Sequence, residues 1–418
     1  MRVWILQTGE PLHCDGGTPR PMRAMNLANA LVARGHEVVV WSTAFYHQEK
    51  RHRCNSFQSV RVSERLVVNL LPSPGYRRNV GFGRLFDHAM LAHNLSGILR
   101  RGEFENPDAA FVGFPPIETA AVMTRWLKAR GVPLMLDAKD QWPEIFVEPL
   151  PPALRPLGRL VLKPYYHYAA RAMRDADAFC AMSEEFIDWM VGFSGRRRSD
   201  ADYAAPLTSP RLSFGAADLE AASGWCRGLG IDEGRKNVFS FFGSISKGFD
   251  FSVVRDLARR CLDERLDCRF VICGDGAAGE EVRNMMAGLD NVLMPGWIDA
   301  PKIAAISRCS LATLAPYINN DAFGRSVPNK IIDSLANGLP IISTLNGKVG
   351  GLIAEEGVGY CGQSVDEMYA FVKRLLNDEG FSAGLSGRSG AVYEKWFSYD
   401  RVYGGLVSAF EKMANHEK

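Results

Sequence analysis

The stretch Tyr317–Thr344, YINNDAFGRSVPNKIIDSLANGLPIIST, predicts a polar loop, a short amphipathic helix and a buried strand, in that order. Ser326 is a residue type that caps helices and Pro328 suits a first turn, so we expect the helix to begin in this segment. Gly338 is expected to end the helix. Its apolar face would consist of residues at helical spacing, which are Ile331, Ile332, Leu335 and Ala336. The run Leu339–Ile342 then predicts the strand.

The start of this predicted helix has the features of a phosphate-binding site. A helix N-terminus presents unpaired N–H groups and a partial positive charge, and Lys330 adds a full charge at that end. Asp333 follows one turn later on the same face. This arrangement suits a nucleoside diphosphate, with its phosphates at the helix end and its ribose hydroxyls on Asp333. The alternative is an ordinary capped helix with solvated Lys and Asp side chains.

Around this stretch, strand-like and helix-like segments alternate, which predicts a parallel sheet covered by helices. The predicted strands are 237–243, 269–273, 291–294, 311–315 and 340–343, and the predicted helices are 251–263, 280–287 and 301–308. Two late helices are expected at 365–376 and 399–413.

The first half of the chain shows the same alternation and predicts a second parallel sheet. Its strands are expected at 3–7, 35–41, 109–113, 133–137 and 178–182, and its helices at 21–34, 118–130 and 157–174. We therefore predict a first domain at 1–205, a connection at 206–236, a second domain at 237–395 and a final segment at 396–418 that returns to the first domain. Open parallel sheets bind ligands at the carboxyl ends of their strands, which predicts a cleft between the domains.

Composition limits the class of protein. A chain of 418 residues with 47% hydrophobic and 23% charged residues suits a soluble protein of two domains. Met1–Leu6 leads straight into a strand without a signal-peptide pattern, and no apolar run is long enough to span a bilayer. Nine cysteines without a Cys-x-x-Cys pair favour a reducing cytoplasm over disulfides or structural zinc. Basic residues outnumber acidic residues in the first half only, which suits an anionic partner there.

Two glycine-containing loops follow predicted strands and are candidate phosphate contacts. Gly16 and Gly17 would let backbone N–H groups approach a ligand closely. Gly243 ends the first strand of the second domain, and Ser244 and Lys247 lie in the same loop. An ordinary turn with a surface lysine is the alternative interpretation of both loops.

A third loop, Gly274–Gly279, has the sequence GDGAAG and matches the G-x-G-x-x-G pattern of dinucleotide-binding sites. Such sites also need an acidic residue about 20 positions further on, at the end of the next strand. Here the predicted strand Asn291–Met294 continues into Pro295-Gly296-Trp297 instead. This absence argues against NAD binding.

The segment Asp137–Glu144, DAKDQWPE, ends a predicted strand and would face the same cleft. Asp137 and Asp140 lie beside Lys139. These groups could act in acid/base chemistry, accept hydrogen bonds from sugar hydroxyls, or form an ion-pair network.

Residues 45–101 interleave aromatic and basic side chains, as in Phe82, Arg84 and Phe86. Such a face, together with the predicted helix 157–174, could rest on anionic lipid headgroups. A solvated basic surface is the alternative.

Several classes of site are excluded by the sequence. There is no nucleophile elbow, no Walker lysine motif and no His/Cys metal cluster. A pI near 8.0 is below the values typical of nucleic-acid-binding modules. We therefore expect neither a metal site nor a nucleic-acid partner.

Taken together, these segments resemble the family 4 glycosyltransferases. The matching segments cover nearly the whole chain and include LDAKDQWPE, FFGSISKG, FVICGDG, NVLMPGW, LAPY and SVPNKIIDSLANGLPII. The Asp-x-Trp-Pro and Pro-Asn-Lys segments are similar to those of the polysaccharide and O-antigen branch.

The resemblance implies an α/β chain of GT-B architecture, with two Rossmann-like parallel-sheet domains facing each other across a cleft. It implies retaining transfer of a sugar from a nucleotide-diphosphate sugar to a saccharide or lipid-linked acceptor, in cell-surface polysaccharide synthesis. Neither a cofactor nor an obligatory metal is implied. The protein would be cytoplasmic, with a peripheral position at the inner face of the cell membrane as a further hypothesis.

The resemblance also implies site residues. Lys247 would neutralise the leaving phosphate together with Lys330, and Asp140 would lie near the reacting sugar. The implied donor-binding residues are Gly16, Gly17, Gly243, Ser244, Gly274, Gly276, Tyr317, Ser326, Asn329 and Asp333. The implied acceptor-side residues are Arg20, Asp137 and Trp142.

Two departures from the family pattern leave alternatives open. Arg325 stands where the family has the first Glu of a Glu-x7-Glu pattern, and Ser244 stands where many relatives have arginine. A nucleotide-sugar epimerase of the same fold and a non-catalytic GT-B partner subunit both remain compatible with the sequence. A nicotinamide-dependent enzyme is the third alternative.

Overall fold

The computed structural model of the protein describes residues 1–16, 20–78, 81–211, 213–232, 234–319 and 321–415. The chain divides into two compact units. The first comprises Met1–Ser209 together with the chain from Tyr399 onward, and the second comprises Pro210–Ser398.

The first unit is a parallel sheet covered by helices on both faces. Its elements in chain order are β1 (Arg2–Leu6), α1 (Arg23–Ala33), β2 (Glu37–Thr43), β3 (Phe45–Tyr46), β4 (Arg51–His52), β5 (Gln58–Ser63), β6 (Leu66–Leu71), α2 (Phe82–Arg101), β7 (Ala109–Phe114), α3 (Ile117–Lys128), β8 (Leu134–Ala138), α4 (Glu144–Val147), a 3-10 turn at Pro152–Leu154, α5 (Arg155–Val161), α6 (Lys163–Arg174), β9 (Ala178–Ala181), α7 (Glu184–Ser194) and β10 (Tyr203–Ala204). The strand order is β10-β9-β8-β7-β1-β2-β6-β5, with only β5 antiparallel to its neighbour within the described residues. β3 and β4 form a separate antiparallel pair.

The core of this sheet is apolar because its strands are covered on both faces. Trp4 on β1 stacks on Trp126 of α3, with ring centres 5.1 Å apart. Trp41 on β2 lies 4.9 Å from Trp4 in a tilted arrangement.

The second unit contains a smaller sheet whose paired strands are all parallel. Its elements are α8 (Ala216–Gly228), β11 (Val238–Phe242), α9 (Phe251–Asp263), β12 (Arg269–Cys273), α10 (Gly279–Met285), β13 (Val292–Gly296), α11 (Ala300–Cys309), β14 (Ser310–Ala315), α12 (Asp321–Gly324), α13 (Asn329–Ala336), β15 (Ile341–Ser343), α14 (Lys348–Glu356), β16 (Gly359–Cys361), α15 (Val365–Asn377), α16 (Glu379–Val392) and a π-helical turn at Tyr393–Phe397. The strand order is β13-β12-β11-β14-β15-β16.

The last helix, α17 (Tyr399–Asn415), belongs to the first unit, where the sequence predicts it. Leu406, Val407 and Phe410 are buried in the core that also contains α1. The Tyr399 hydroxyl donates a hydrogen bond to the Asn26 carbonyl oxygen at 3.0 Å. The helix is therefore held by both apolar and polar contacts.

Three predictions of local structure need correction. Residues 206–236 are mostly part of the second unit, since α8 packs against α11 through Ala222, Cys226 and Ile306. The predicted helix 157–174 is two helices, α5 and α6, because Pro164 at the start of α6 lacks the N–H that a continuous helix requires. Helix α2 was not predicted, because the regular basic and aromatic spacing of this region indicated a surface rather than a helix.

Candidate functional site

The carboxyl ends of β11 and β12 carry two loops that pack directly on each other. The strand pairing continues beyond both strands, since Gly243 N–H donates to Cys273 O at 2.9 Å and Ile245 N–H donates to Asp275 O at 2.9 Å. Gly274 and Gly276 have φ angles of +150° and +153°, and a Cβ at either position would overlap the carbonyl oxygen of Gly243 or Ile245. These two glycines are therefore required for contact between the loops.

Lys330 brings the start of α13 to the same edge of the sheet. Its Nζ donates a hydrogen bond to the Phe242 carbonyl oxygen at 2.6 Å and lies 4.6 Å from the centre of the Phe241 ring. A Cβ at Gly243 would collide with this ammonium group, so Gly243 leaves room for it. The ammonium is thus fixed at the carboxyl end of β11, where the sequence predicts a phosphate contact.

Helix α13 begins later than the sequence predicts. Its first residue is Asn329, and Pro328 occupies the N-cap position with φ −64° and ψ 151°, without a side-chain cap. Ser326 is therefore not the cap, because the extended conformation at Pro328 separates it from the helix. Asn329 is half-buried in the first turn, where its backbone N–H has no carbonyl of a preceding turn to bond.

Tyr317 was predicted to contact the donor, but its ring is buried in the core of the second unit. The ring lies 4.6 Å from that of Phe249 and 5.2 Å from that of Phe323. Its carbonyl oxygen accepts a hydrogen bond from Thr344 Oγ1 at 2.7 Å. Asp333 is half-buried nearby. Burial of Tyr317, and then the negative charge of Asp333, raise the pKa of the Tyr317 hydroxyl. Tyr317 therefore supports the site through its packing in the core. Asp333 is the more accessible of these two side chains.

Ser244 and Lys247 are the exposed residues of the loop after β11. The loop turns tightly, since Phe249 N–H donates to Ser246 O at 3.2 Å. Lys247 makes no hydrogen bond or ion pair with another residue in the described part of the chain. Its ammonium group is thus available to a ligand at the edge where Lys330 lies.

In the first unit, the loop after β1 is held by an ion pair that no local sequence pattern predicts. Arg53 donates to both oxygens of Asp15, at 2.5 and 2.7 Å, and both side chains are buried. Asp15 also accepts a hydrogen bond from Leu12 N–H at 2.8 Å. Gly16 and Arg20 are exposed at this loop, and Gly17 lies outside the described residues.

Asp137 was predicted to be an acceptor-side residue, but it is a core residue. Its carboxylate is fully buried on β8, 3.4 Å from Nε of the equally buried Arg23. Arg23 Nη2 in turn donates to Ala205 O at 2.6 Å. Lys139 forms an ion pair with Glu10. The ion-pair interpretation therefore describes Asp137 and Lys139, whose partners Arg23 and Glu10 come from distant parts of the sequence.

Trp142 and Asp140 differ in accessibility. The Trp142 ring is buried and makes an edge contact with Phe146, with ring centres 4.6 Å apart, so it supports the loop rather than presenting a surface. Asp140 is exposed as a residue, yet the protein around its carboxyl group raises its pKa through desolvation, against the attraction of Arg84 and Lys139. Of the three predicted acidic and aromatic residues here, Asp140 is the accessible one.

The described residues contain no group of three or more His, Cys, Asp or Glu side chains arranged to hold a metal ion. None of the helices in the described ranges combines the length and apolar character that crossing a bilayer requires.

Comparisons with known proteins identify both units. A family model described as "Glycosyl transferase 4-like domain" matches residues 21–204, and one described as "Glycosyl transferases group 1" matches residues 236–378. The two matches together cover most of the chain. No curated protein matches the sequence.

Solved structures share the fold along the whole chain at low identity. HepE of Anabaena, solved with UDP-glucose, has 14% identity and a TM-score of 0.62 over 99% of this chain and 100% of its own. WaaG, a glycosyltransferase involved in lipopolysaccharide biosynthesis, has 14% identity and a TM-score of 0.61 over 100% of both chains. The catalytic domain of starch synthase IV from Arabidopsis thaliana, bound to ADP and acarbose, has 12% identity and a TM-score of 0.64 over 100% of this chain and 99% of its own. With two parallel-sheet units and a family match to each of them, the chain belongs to the family 4 glycosyltransferases of GT-B fold.

Proposed function

We propose that this glycosyltransferase moves a sugar from a nucleotide-diphosphate sugar to a saccharide or lipid-linked acceptor, with retention of anomeric configuration and without an obligatory metal. The observation that carries the proposal is the pair of lysines at one sheet edge, with Lys330 fixed at Gly243 and Lys247 exposed on the same loop. UDP-glucose in HepE supports a nucleotide-sugar donor, and the role of WaaG supports cell-surface polysaccharide synthesis.

The proposed chemistry is charge stabilisation. As the bond between the anomeric carbon and the diphosphate breaks, negative charge grows on the leaving phosphate oxygens. Lys247, the ammonium of Lys330 and the first N–H groups of α13 would stabilise that charge. The acceptor oxygen bonds to the anomeric carbon on the same face, and its proton passes to the departing phosphate oxygen, so no protein base is needed.

To test this proposal, the purified chain is incubated with UDP-, GDP- and ADP-sugars and a panel of saccharide acceptors. Each incubation is run with and without EDTA. We expect donor consumption that requires an acceptor, is unaffected by EDTA, and gives a product with the anomeric configuration of the donor by NMR. Isomerised donor without acceptor would identify an epimerase instead. Inertness together with tight binding to another glycosyltransferase would identify a non-catalytic partner subunit.

Asp333→Asn is expected to weaken nucleoside diphosphate binding by about tenfold or more, because hydrogen bonds to a charged group contribute about 1.5–3 kcal/mol. The reason is the position of Asp333 one turn beyond Lys330 on α13, where its carboxylate would accept the ribose hydroxyls. Calorimetry with UDP, GDP and ADP measures the effect. Asp263→Asn, at an exposed position on α9, should leave affinity unchanged. Equal affinity in both variants would remove Asp333 from the site.

We also propose that α5 rests on an anionic membrane surface. Leu157, Leu160 and Val161 are 57%, 65% and 70% exposed, and the flanking Arg159 and Lys163 are exposed as well. Apolar side chains beside cations suit the boundary between acyl chains and anionic headgroups.

Replacing Leu157, Leu160 and Val161 together with serine is expected to raise the lipid concentration for half-maximal binding by at least about tenfold, since each buried side chain contributes more than about 1 kcal/mol. Co-sedimentation with phosphatidylglycerol-containing vesicles at low salt measures this. Trp297→Ser removes one similarly exposed apolar side chain from the second unit and should leave binding unchanged. Wild-type protein that stays in the supernatant would contradict the proposal.

A further inference from the structure

An ion pair joins two loops of the first unit at the edge of the sheet where the parallel strands end. The ammonium group of Lys139, in the loop after β8, pairs with the carboxylate of Glu10, in the loop after β1. The Lys139 side chain is 16% exposed and that of Glu10 is 4% exposed. The next residue, Asp140, is exposed. The pair is therefore shielded from water directly beside an accessible carboxyl group.

Glu10 connects its loop to the start of helix α1. Its Oε2 accepts a hydrogen bond from Ala24 N–H at 2.9 Å in the first turn of α1, while its Oε1 pairs with Lys139. A carboxylate suits this position, because the N-terminus of a helix carries a partial positive charge. The carbonyl oxygen of Glu10 accepts a hydrogen bond from Arg53 Nη2 at 3.2 Å, and the same guanidinium holds Asp15. Glu10 thus fixes the loop after β1 and the start of α1 at the same time.

Lys139 fixes the loop that carries Asp140. Its backbone N–H donates a hydrogen bond to Phe114 O, at the end of β7, at 3.0 Å. Strand β7 lies between β8 and β1 in the sheet, so the ion pair spans the end of β7. Desolvation raises the pKa of Asp140, and the charges of Arg84 and then Lys139 oppose this rise. Lys139 therefore favours the ionised form of a carboxyl group whose surroundings disfavour it.

Stability alone does not require charges at this place. Removing two charges from water is unfavourable, and apolar side chains of similar volume are often equally stable in place of a buried ion pair. Burial lowers the pKa of Lys139 to about 7, against the attraction of Cys180 and Asp140. The Glu10 carboxylate beside Lys139 also favours the charged ammonium. Glu10 therefore helps to keep Lys139 charged, which indicates that the charge itself has a role.

We propose that Glu10 and Lys139 are positioning residues for sugar transfer, which hold Asp140 beside the reacting sugar and keep it negatively charged. Positive charge develops on the sugar ring as its bond to the diphosphate breaks, and an ionised Asp140 would stabilise that charge. Glu10 and Lys139 would act on the sugar only through Asp140. The location of Asp140 beside the sugar rests on the proposed function, whereas the effect of Lys139 on its charge does not.

Steady-state kinetics of the full chain test the positioning role, with the donor and acceptor found active among the UDP-, GDP- and ADP-sugars and the saccharides. Glu10→Gln retains an oxygen for Ala24 N–H, and Lys139→Met retains most of the side-chain volume, so each variant mainly removes a charge. We expect each to lower kcat about tenfold or more, because a displacement of about 1 Å at the reacting centre can cost about 100-fold. The donor KM should change little, since the proposed diphosphate contacts lie in the second unit.

The double variant Glu10→Gln/Lys139→Met separates positioning from stability. It should regain stability in thermal unfolding, because replacing both members of a buried ion pair by uncharged groups is often neutral. Its kcat should stay low, since Lys139 no longer acts on Asp140. A double variant with wild-type kcat would show that the pair is purely structural and would overturn the proposal.

A second measurement needs neither donor nor acceptor. NMR of the full chain with carbon-13 in the aspartate carboxyl groups follows the Asp140 signal, assigned with Asp140→Asn, as the pH is varied. Lys139→Met should move the titration midpoint of Asp140 to higher pH, because it removes a positive charge that favours the ionised form. Arg196→Met is the matched control, since Arg196 and Asp202 form a pair with side chains 14% and 1% exposed. It should leave kcat and the Asp140 midpoint unchanged.

The control pair lies at the opposite edge of the same sheet, where Arg196 Nη1 donates to Asp177 O directly before β9. An unchanged Asp140 midpoint in Lys139→Met would overturn the proposal whether or not the chain transfers sugar. Active wild-type protein with an unchanged kcat in both single variants would overturn this proposal alone. Wild-type protein that transfers no sugar would overturn the proposed function, whereas a shifted midpoint would still support the effect of Lys139 on Asp140.

Discussion

Lys247→Ala is expected to lower turnover about 100-fold or more while leaving the fold intact, since the loss of one preorganised charge at a reacting group typically has this effect. Lys247 is exposed on the loop after β11 and pairs with no other residue in the described part of the chain, so its removal breaks no protein contact. If Lys247 contributed only to solubility, its replacement by alanine would leave turnover unchanged. The size of the fall in turnover therefore measures how strongly Lys247 stabilises the charge on the leaving phosphate.

The measurement should be a single-turnover rate with saturating donor, because steady-state turnover can be limited by product release. Lys236→Ala is the matched control, since Lys236 is exposed just before β11, at the opposite end of the same strand. We expect wild-type rates for Lys236→Ala and a slow step for Lys247→Ala. An unchanged single-turnover rate in Lys247→Ala would remove this residue from the mechanism.

A Lys330 variant tests stabilisation of the leaving phosphate less directly than a Lys247 variant does. Its ammonium group already donates to Phe242 O and packs over the Phe241 ring, so its removal takes a donor from that carbonyl oxygen and leaves a gap beside Gly243. A loss of activity in a Lys330 variant would combine electrostatic and structural effects. The exposed position of Lys247 is what makes its variant interpretable.

The alternating strands and helices of both sheets could be predicted because the signals are local. Arg269–Cys273 and Phe251–Asp263 have the bounds that the sequence predicts, since an apolar run and an amphipathic run are each bounded by turn residues. The glycine loops after β11 and β12 were placed correctly for the same reason. Their geometry shows a further role, because Gly274 and Gly276 are needed for contact between the loops whether or not a nucleotide is bound.

The burial of individual site residues could not be predicted, because it depends on partners distant in sequence. Asp137 is a core residue because Arg23 lies beside it, and Tyr317 is a core residue because Phe249 and Phe323 enclose its ring. A group of basic and aromatic side chains in the first unit, which includes His47, Tyr76, Arg84 and Trp142, is the opposite case. A basic and aromatic composition was visible in the sequence, but no local pattern indicates that residues 47, 50, 76, 84, 88 and 142 meet.

Gly274→Ala is expected to destabilise the protein by about 3 kcal/mol or more, as overpacking and a strained backbone each cost about 1–3 kcal/mol. The added Cβ would overlap the Gly243 carbonyl oxygen, a backbone atom that cannot rotate away. Hydrogen bonds hold both loops in place, since Gly243 N–H donates to Cys273 O at 2.9 Å and Gly274 N–H donates to Gly296 O at 2.8 Å. Neither loop can therefore move away from the added Cβ without breaking one of these bonds. Urea denaturation followed by circular dichroism measures the free energy of unfolding.

Two glycine controls separate the causes of this loss. Gly81 has φ +142°, close to that of Gly274, and no atom within 4 Å of an added Cβ, so Gly81→Ala should cost only the backbone strain of about 1–3 kcal/mol. Gly387 lies within α16 with equally open space, and Gly387→Ala should be neutral or stabilising, because alanine favours helix by about 1 kcal/mol. If Gly274→Ala cost no more than Gly81→Ala, backbone conformation alone would explain the need for glycine at position 274. A clearly larger cost means that the contact between the two loops holds the ends of β11 and β12 together, and with them the position of Lys330.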